Sequence, residues 1–169
     1  YAKNHQGYLN LIELVSKSYL EGFYYVPRID RKLLSGHTEG LVCVSGGIQS
    51  ELSESILSEN DDKTADCIDF YTQNFDEYFL EILPESTHDK QKMLNQKVLE
   101  LSKHYSLPVI IGCDSHYLNK EDKPPHDVLV CIQSGRSVDT QDRPRYSGDM
   151  HLRTLEDITK EFVDYDIQP

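Results

Sequence analysis

Apolar and polar positions along this chain follow two periods. Tyr8, Leu11, Ile12, Val15 and Tyr19 recur at helical spacing, predicting an amphipathic helix that Gly22 ends. Asp30 is placed to cap a short helix through Leu34, closed by Gly36. Leu41 to Val44 is a short apolar run and reads as a strand, ended by the small-residue turn Ser45-Gly46-Gly47. Helices follow at about 50–57 and 61–75, the second with Ile68, Tyr71 and Phe75 on one stripe. Tyr78 to Leu83 is a strand closed by Pro84. Ser86-Thr87-His88-Asp89 has capping-box spacing and predicts the start of a long helix buried through Leu94, Val98, Leu101 and Tyr105. Leu107 to Cys113 is then a β-branched run too short for a helix.

Strands separated by helices imply parallel pairing and an α/β class. The stretches near 41–45, 78–83 and 107–113 should be parallel neighbours in one curved sheet with helices outside it. Tyr8, Ile12, Val98 and Leu101 should be buried.

After Tyr117 the character changes. Asn119 to Pro125 is charged and proline-rich and reads as a loop. His126 to Gln133 carries Val128, Leu129 and Ile132 at helical spacing, and Gly135 ends it. Arg136 to Asp149 is polar and aperiodic, a connecting arm. Thr154 to Asp157 repeats the capping-box pattern and opens a last helix running toward Phe162.

Composition narrows the function. The 169 residues carry 17 basic and 29 acidic side chains, a net charge of −12. Such a surface repels a phosphate backbone overall, leaving room only for a local basic strip. No apolar run approaches membrane-spanning length, and Tyr1 to Gln6 has no signal-peptide pattern. Cys43, Cys67, Cys113 and Cys131 are widely spaced with no Cys-x-x-Cys pair. Free thiols in a reducing cytosol account for them better than a thiolate zinc site.

Asp114 and His116 are the candidate site. In extended chain, residues i and i+2 face the same way. A carboxylate and an imidazole would then share one face where a buried strand ends, the place where barrel folds build sites. By itself Asp-x-His is a weak motif, equally at home in an ordinary turn.

Several segments together resemble one family. They are Ala2-Lys3-Asn4 with Gly7-Tyr8, Glu21 to Tyr25 with Pro27-Arg28-Ile29-Asp30, and Glu39-Gly40-Leu41 with Ser45-Gly46. Asp114-Ser115-His116-Tyr117-Leu118, His126-Asp127-Val128-Leu129, Cys131-Ile132-Gln133 and the segment from Arg143 complete the set. In this order they are similar to the C-terminal portion of the PHP (polymerase and histidinol phosphatase) domain of bacterial DNA polymerase III alpha subunits. The resemblance covers nearly the whole chain.

The resemblance implies a partial TIM-like barrel, a distorted β/α barrel of parallel strands and outer helices. Residues 1–118 would be the C-terminal part of the PHP domain, and 119–169 a helix and arm leading into the polymerase core. The family's earlier histidines would lie upstream of Tyr1 and its polymerase palm beyond Pro169. The implied function is a segment of a replicative polymerase, a cytoplasmic DNA-directed nucleotidyltransferase, with this part structural and partner-binding. The alternative is a metal-dependent 3′–5′ exonuclease or phosphoesterase. Implied partners are DNA, deoxynucleoside triphosphates, a proofreading exonuclease subunit and other replisome subunits, with no membrane. Asp114 and His116 match the family's last pair of metal ligands, for Zn2+ or Mn2+, with Mg2+ at a polymerase site outside this chain. No residue here matches a catalytic or cofactor-binding position. Where many members have Ser-Gly-Cys with a ligating thiol, this chain has Ser45-Gly46-Gly47, and Gly47 has no donor.

Overall fold

A computed structural model describes residues 1–146 and 148–165. Among the described residues, seven helices and three strands run in the order α1 (His5–Leu20), α2 (Arg31–Ser35), β1 (Val42–Val44), α3 (Glu51–Leu57), α4 (Asp61–Asn74), β2 (Glu77–Ile82), α5 (Gln91–Tyr105), β3 (Val109–Ile111), α6 (Lys123–Ser134) and α7 (Leu155–Glu161). The strands hydrogen-bond in the order β1-β2-β3. β1 and β2 are parallel, with Val42 opposite Glu77 and Val44 opposite Phe79. Leu80 N donates to Pro108 O and Gly112 N to Ile82 O. Those bonds advance together along both strands, so β2 and β3 are parallel too. The expected parallel α/β sheet is present, three strands wide. No helix among the described residues is long and apolar enough to cross a membrane.

The chain divides into two compact units. The first is 1–80 with 106–108. Its core joins Leu14, Leu41 and Phe75, packed against by Leu11, Leu33, Leu34, Cys43 and Tyr71. The caps follow the sequence. Asn4, Asp30, Ser50 and Asn60 each accept a backbone N–H at the start of α1, α2, α3 and α4. Arg31 bridges Glu51 and Asp66 at 2.6 and 2.7 Å and lies over the Phe70 ring.

α1 buries a different face from the one predicted. Gly7, Asn10 and Leu14 are inside, whereas Tyr8 is 55% and Ile12 46% exposed. The reason is the partner. α1 lies against the backbone of the 38–41 turn, which selects a missing side chain at Gly7 and an amide at Asn10. Asn10 Nδ2 donates to Glu39 O at 2.9 Å, and Lys3 N donates to Gly40 O. Bulk at Tyr8 and Ile12 has no place on that surface.

The second unit is 81–105 with 109–169, described as far as Tyr165. Its buried apolar residues include Ile82, Leu83, Leu94, Val98, Cys131, Met150 and Phe162. Leu94 and Val98 of α5 are buried as predicted, while Leu101 is only half-buried. The helix opens at Gln91, not at Ser86. Thr87 turns back to donate to Pro84 O, and the Ser86 hydroxyl accepts from Arg153 instead of capping. Asn95, fully buried, replaces bulk apolar packing with polar pairing. It accepts from Leu83 N and donates to Leu83 O at 2.7 Å. α6 starts three residues before His126, at Lys123. Pro124 and Pro125 lack amide hydrogens, but a helix's first turn has no acceptors for them, so they extend the helix rather than exclude it. Gly135, at φ 64°, caps its C-terminus in the left-handed conformation.

All four cysteines are free. Burial pushes the Cys43 thiol up to about 11 and, with Glu51 adding to it, Cys67 to about 12. The folded state therefore holds protons that an unfolded thiol releases near pH 8.5. The stabilisation is complete below that pH and is lost as pH rises toward the folded values. The urea midpoint should fall between about pH 8 and pH 10.5, and less steeply in Cys67→Ala. An equally steep fall in that variant would place the titration elsewhere.

Candidate functional site

The site is built where β3 runs out. A Cβ on Gly112 would lie 2.0 Å from Glu81 Oε1 and 2.8 Å from Leu83 Cδ2. Glycine is what lets the strand end pass beside Glu81. Cys113 follows, half-buried, and then Asp114 turns the chain with φ 45°. Aspartate tolerates this left-handed conformation better than most residues.

The predicted pair meets. Asp114 Oδ1 and His116 Nε2 are 3.1 Å apart, with both side chains partly exposed. The cause differs from the extended alternation expected. Residues 112–116 lie beyond the strand, and the turn at Asp114 folds the carboxylate onto the imidazole. Burial first, and the nearby Asp114 charge second, raise the Glu81 carboxyl above its ordinary range.

A second segment, 148–153, which begins where the aperiodic 136–149 arm ends, fixes this turn. Tyr117 and His151 form a parallel bridge. His116 N donates to Met150 O at 2.8 Å, and Leu152 N to Tyr117 O at 2.9 Å. The Tyr117 hydroxyl accepts from Met150 N and donates to Asp149 Oδ1. Gly148 packs so tightly that an added Cβ would sit 2.5 Å from Thr87 O. Arg153, with a fully buried side chain, grips Glu161, Ser86 Oγ and the Asp149 carbonyl, with a longer contact to Cys113 O.

An aromatic group adjoins the pair. The His116 ring is 4.9 Å from Tyr146 and 5.5 Å from His126. His126 also lies 5.2 Å from Tyr117 and 5.4 Å from Tyr146. Beside them Arg143 makes a two-pronged ion pair with Asp127, both contacts 2.6 Å. The Arg143 guanidinium holds the Asp127 carboxyl below its ordinary range.

As a donor set, Asp114 and His116 offer one carboxylate and one imidazole. These are types that suit zinc or manganese, but they are fewer than the three protein ligands of usual catalytic zinc sites. Among the described residues, no group of three His, Cys, Asp or Glu is arranged to hold a metal ion. Sequence reading missed Glu81, Arg153 and the tilted Tyr146–His126 ring contact. Only for Glu81 was there a local signal, a carboxylate inside an apolar strand run.

Residues 1–84 match the model of the PHP domain family. The chain thus carries a PHP domain segment. Beyond it, similarity runs along 93–97% of the chain to proteins named DNA polymerase III subunit alpha, and the chain belongs with that family. The Thermus aquaticus protein is 38% identical over 163 residues, covering 93% of this chain and 13% of the relative. Those of Campylobacter jejuni and Borreliella burgdorferi are 32% and 33% identical over 97% and 96% of the chain. The chain spans about 13–15% of the length of these relatives.

Proposed function

We propose that this chain is a segment of a bacterial replicative DNA polymerase, acting within it as a structural and partner-binding module. The observation that carries this is similarity along 93–97% of the chain to DNA polymerase III alpha subunits. Residues 1–118 would be the C-terminal part of a TIM-like PHP barrel, and 119–169 the lead into the polymerase core. The whole protein would copy DNA from deoxynucleoside triphosphates in the cytoplasm, with its Mg2+ site outside this chain. The proofreading exonuclease subunit would be the partner of this region. Taken alone, the 169 residues should neither extend a primer nor degrade DNA. Metal-dependent nuclease activity lost in Asp114→Ala would overturn that assignment and favour a phosphoesterase.

Asp114 Oδ1 and His116 Nε2, 3.1 Å apart, would hold one side of a Zn2+ or Mn2+ ion. Such an ion, when bound, polarises phosphate oxygens and acidifies water. The chain's own part is narrower. The Asp114 turn presents an oxygen, His116 a nitrogen, and the 150–152 backbone fixes His116 through its N–H. Two protein donors suggest a dissociation constant no tighter than tens of micromolar, an order-of-magnitude expectation from ligand count. Imidazole must be neutral to ligate, so protons compete with the ion and affinity should weaken in acid. Titration calorimetry with Zn2+ tests this, with His116→Ala expected to abolish the signal. Binding unchanged in that variant would remove His116 from the site.

A further inference from the structure

α1 has a second apolar face that its own unit leaves uncovered. Tyr8, Ile12, Val15 and Tyr19 are each 46–59% exposed, while Gly7, Asn10 and Leu14 face inward. Their spacing of four, three and four residues is the seam of a coiled coil. Leu9 and Ser16 flank the seam on one side, Leu11 and Ser18 on the other, and none is charged. Ser16 Oγ donates to Ile12 O and Ser18 Oγ to Val15 O, both at 2.7 Å, so neither hydroxyl needs an acceptor from outside. Glu13 and Lys17, just beyond the seam, pair with each other at 2.7 Å. Rings close both ends: His5 lies 6.3 Å from Tyr8, and Phe23 stacks on Tyr19.

The order of these residues decides what covers the face. Tyr-x3-Ile-x2-Val-x3-Tyr reads the same in both directions, with rings outside and β-branched side chains between them. An antiparallel second copy uses that symmetry. It sets Tyr8 against Tyr19 of the other copy and Ile12 against its Val15, and the two-fold axis repeats both contacts. The area is sufficient. With the flanking Leu9, Leu20 and Phe23, also exposed, the seam offers roughly 700 Å² per copy, counting about 200 Å² for a whole aromatic side chain and somewhat less for an aliphatic one. A standard interface takes about 800 Å² from each partner. In a chain of net charge −12, an uncharged seam is also where two copies repel least. A lipid surface fits less well, because helices that lie on membranes border such a face with lysine and arginine. Here the bordering Lys17 is neutralised by Glu13.

We propose that this chain forms an antiparallel homodimer through α1, the two helices packed along Tyr8, Ile12, Val15 and Tyr19. The dimer does not depend on the polymerase assignment. Sedimentation equilibrium of the full chain from about 1 to 200 µM should show a monomer–dimer equilibrium that closes at two copies. Val15→Glu sets a carboxylate without a partner against Ile12 of the second copy and should weaken the dimer at least about tenfold. Val15 is exposed, and unchanged circular dichroism verifies folding. Leu155→Glu, at an exposed apolar position on α7, is the control and should leave the dimer unchanged. Cysteines give the orientation. Tyr8→Cys and Tyr19→Cys chains, mixed under mild oxidation, should cross-link to each other faster than either does to itself, with the parent chain setting the background from native thiols. The antiparallel register brings the unlike positions together and holds the like ones about 16 Å apart along the axis. The proposal is overturned by a monomer at every concentration, by a dimer that Val15→Glu leaves intact, by cross-links of like to like, or by open-ended association. Binding to phosphatidylcholine–phosphatidylserine vesicles without a dimer would overturn it too, and assign the face to a membrane.

Discussion

Replacing Arg153 with methionine is expected to destabilise the second unit by about 3–5 kcal/mol, the usual loss when one partner of a buried ion pair is removed. The Arg153 side chain is 0% exposed. Its Nε reaches both oxygens of Glu161 at 3.0 and 2.9 Å. Nη2 donates to Ser86 Oγ and Asp149 O, each at 2.8 Å. Methionine fills similar space but leaves that carboxylate and those acceptors without a donor. Arg153→Lys keeps the charge but not the fork, so it should fall between the two. Glu161→Gln should cost less, because Glu161 is partly exposed and water can replace the carboxylate's interactions. Urea unfolding gives the free energies, and hydrogen exchange gives the location. The His116 and Leu152 amides, bonded to Met150 O and Tyr117 O, should lose protection first. A loss under about 1 kcal/mol with those amides still protected would mean that Arg153 does not anchor the arm.

That arm marks the boundary between what sequence carries and what it does not. Local signals were legible. Asp30 and Thr154 cap the helices they were expected to cap, and the apolar runs became the three parallel strands. Asp114 and His116 were legible as a pair, although the turn that joins them was not. Nothing in Asp-x-His says that the aspartate will adopt φ 45°. The pairing of 148–153 with 116–117 joins residues more than thirty positions apart through backbone groups, which every sequence possesses equally. Arg153 carries no local signal, because its acceptors come from Ser86, Asp149 and Glu161, in three separate stretches. The α1 error has the same origin. Periodicity ranks faces by hydrophobicity, but the 38–41 turn selected for smallness and hydrogen bonding.

Gly7→Ala puts that last argument to a test of sign. In an exposed helix the change would stabilise by about 1 kcal/mol, because glycine is the poorer helix former. Here it should destabilise the first unit by about 2 kcal/mol or more, as overpacking against a fixed surface does. A Cβ at Gly7 would lie 1.9 Å from Gly40 O and 2.5 Å from Gly40 C. Gly40 cannot retreat easily. Its carbonyl already accepts from Lys3 N at 2.8 Å, and the neighbouring Glu39 carbonyl accepts from Asn10 Nδ2. Its own φ of +70° and the approach of Asn4 Oδ1 leave no room for a side chain there either. Gly36→Ala is the matched control. Gly36 has φ −79°, and its added Cβ would meet only Leu33 O, at an ordinary 3.7 Å. That substitution should be neutral or stabilise by up to about 1 kcal/mol, by restricting the unfolded chain. Denaturant titrations of the two variants should therefore move the midpoint in opposite directions, or move it down for Gly7→Ala alone. A rise for Gly7→Ala would mean that α1 does not rest on the 38–41 turn. The exposed Tyr8 and Ile12 would then have to be reconsidered as its packing face.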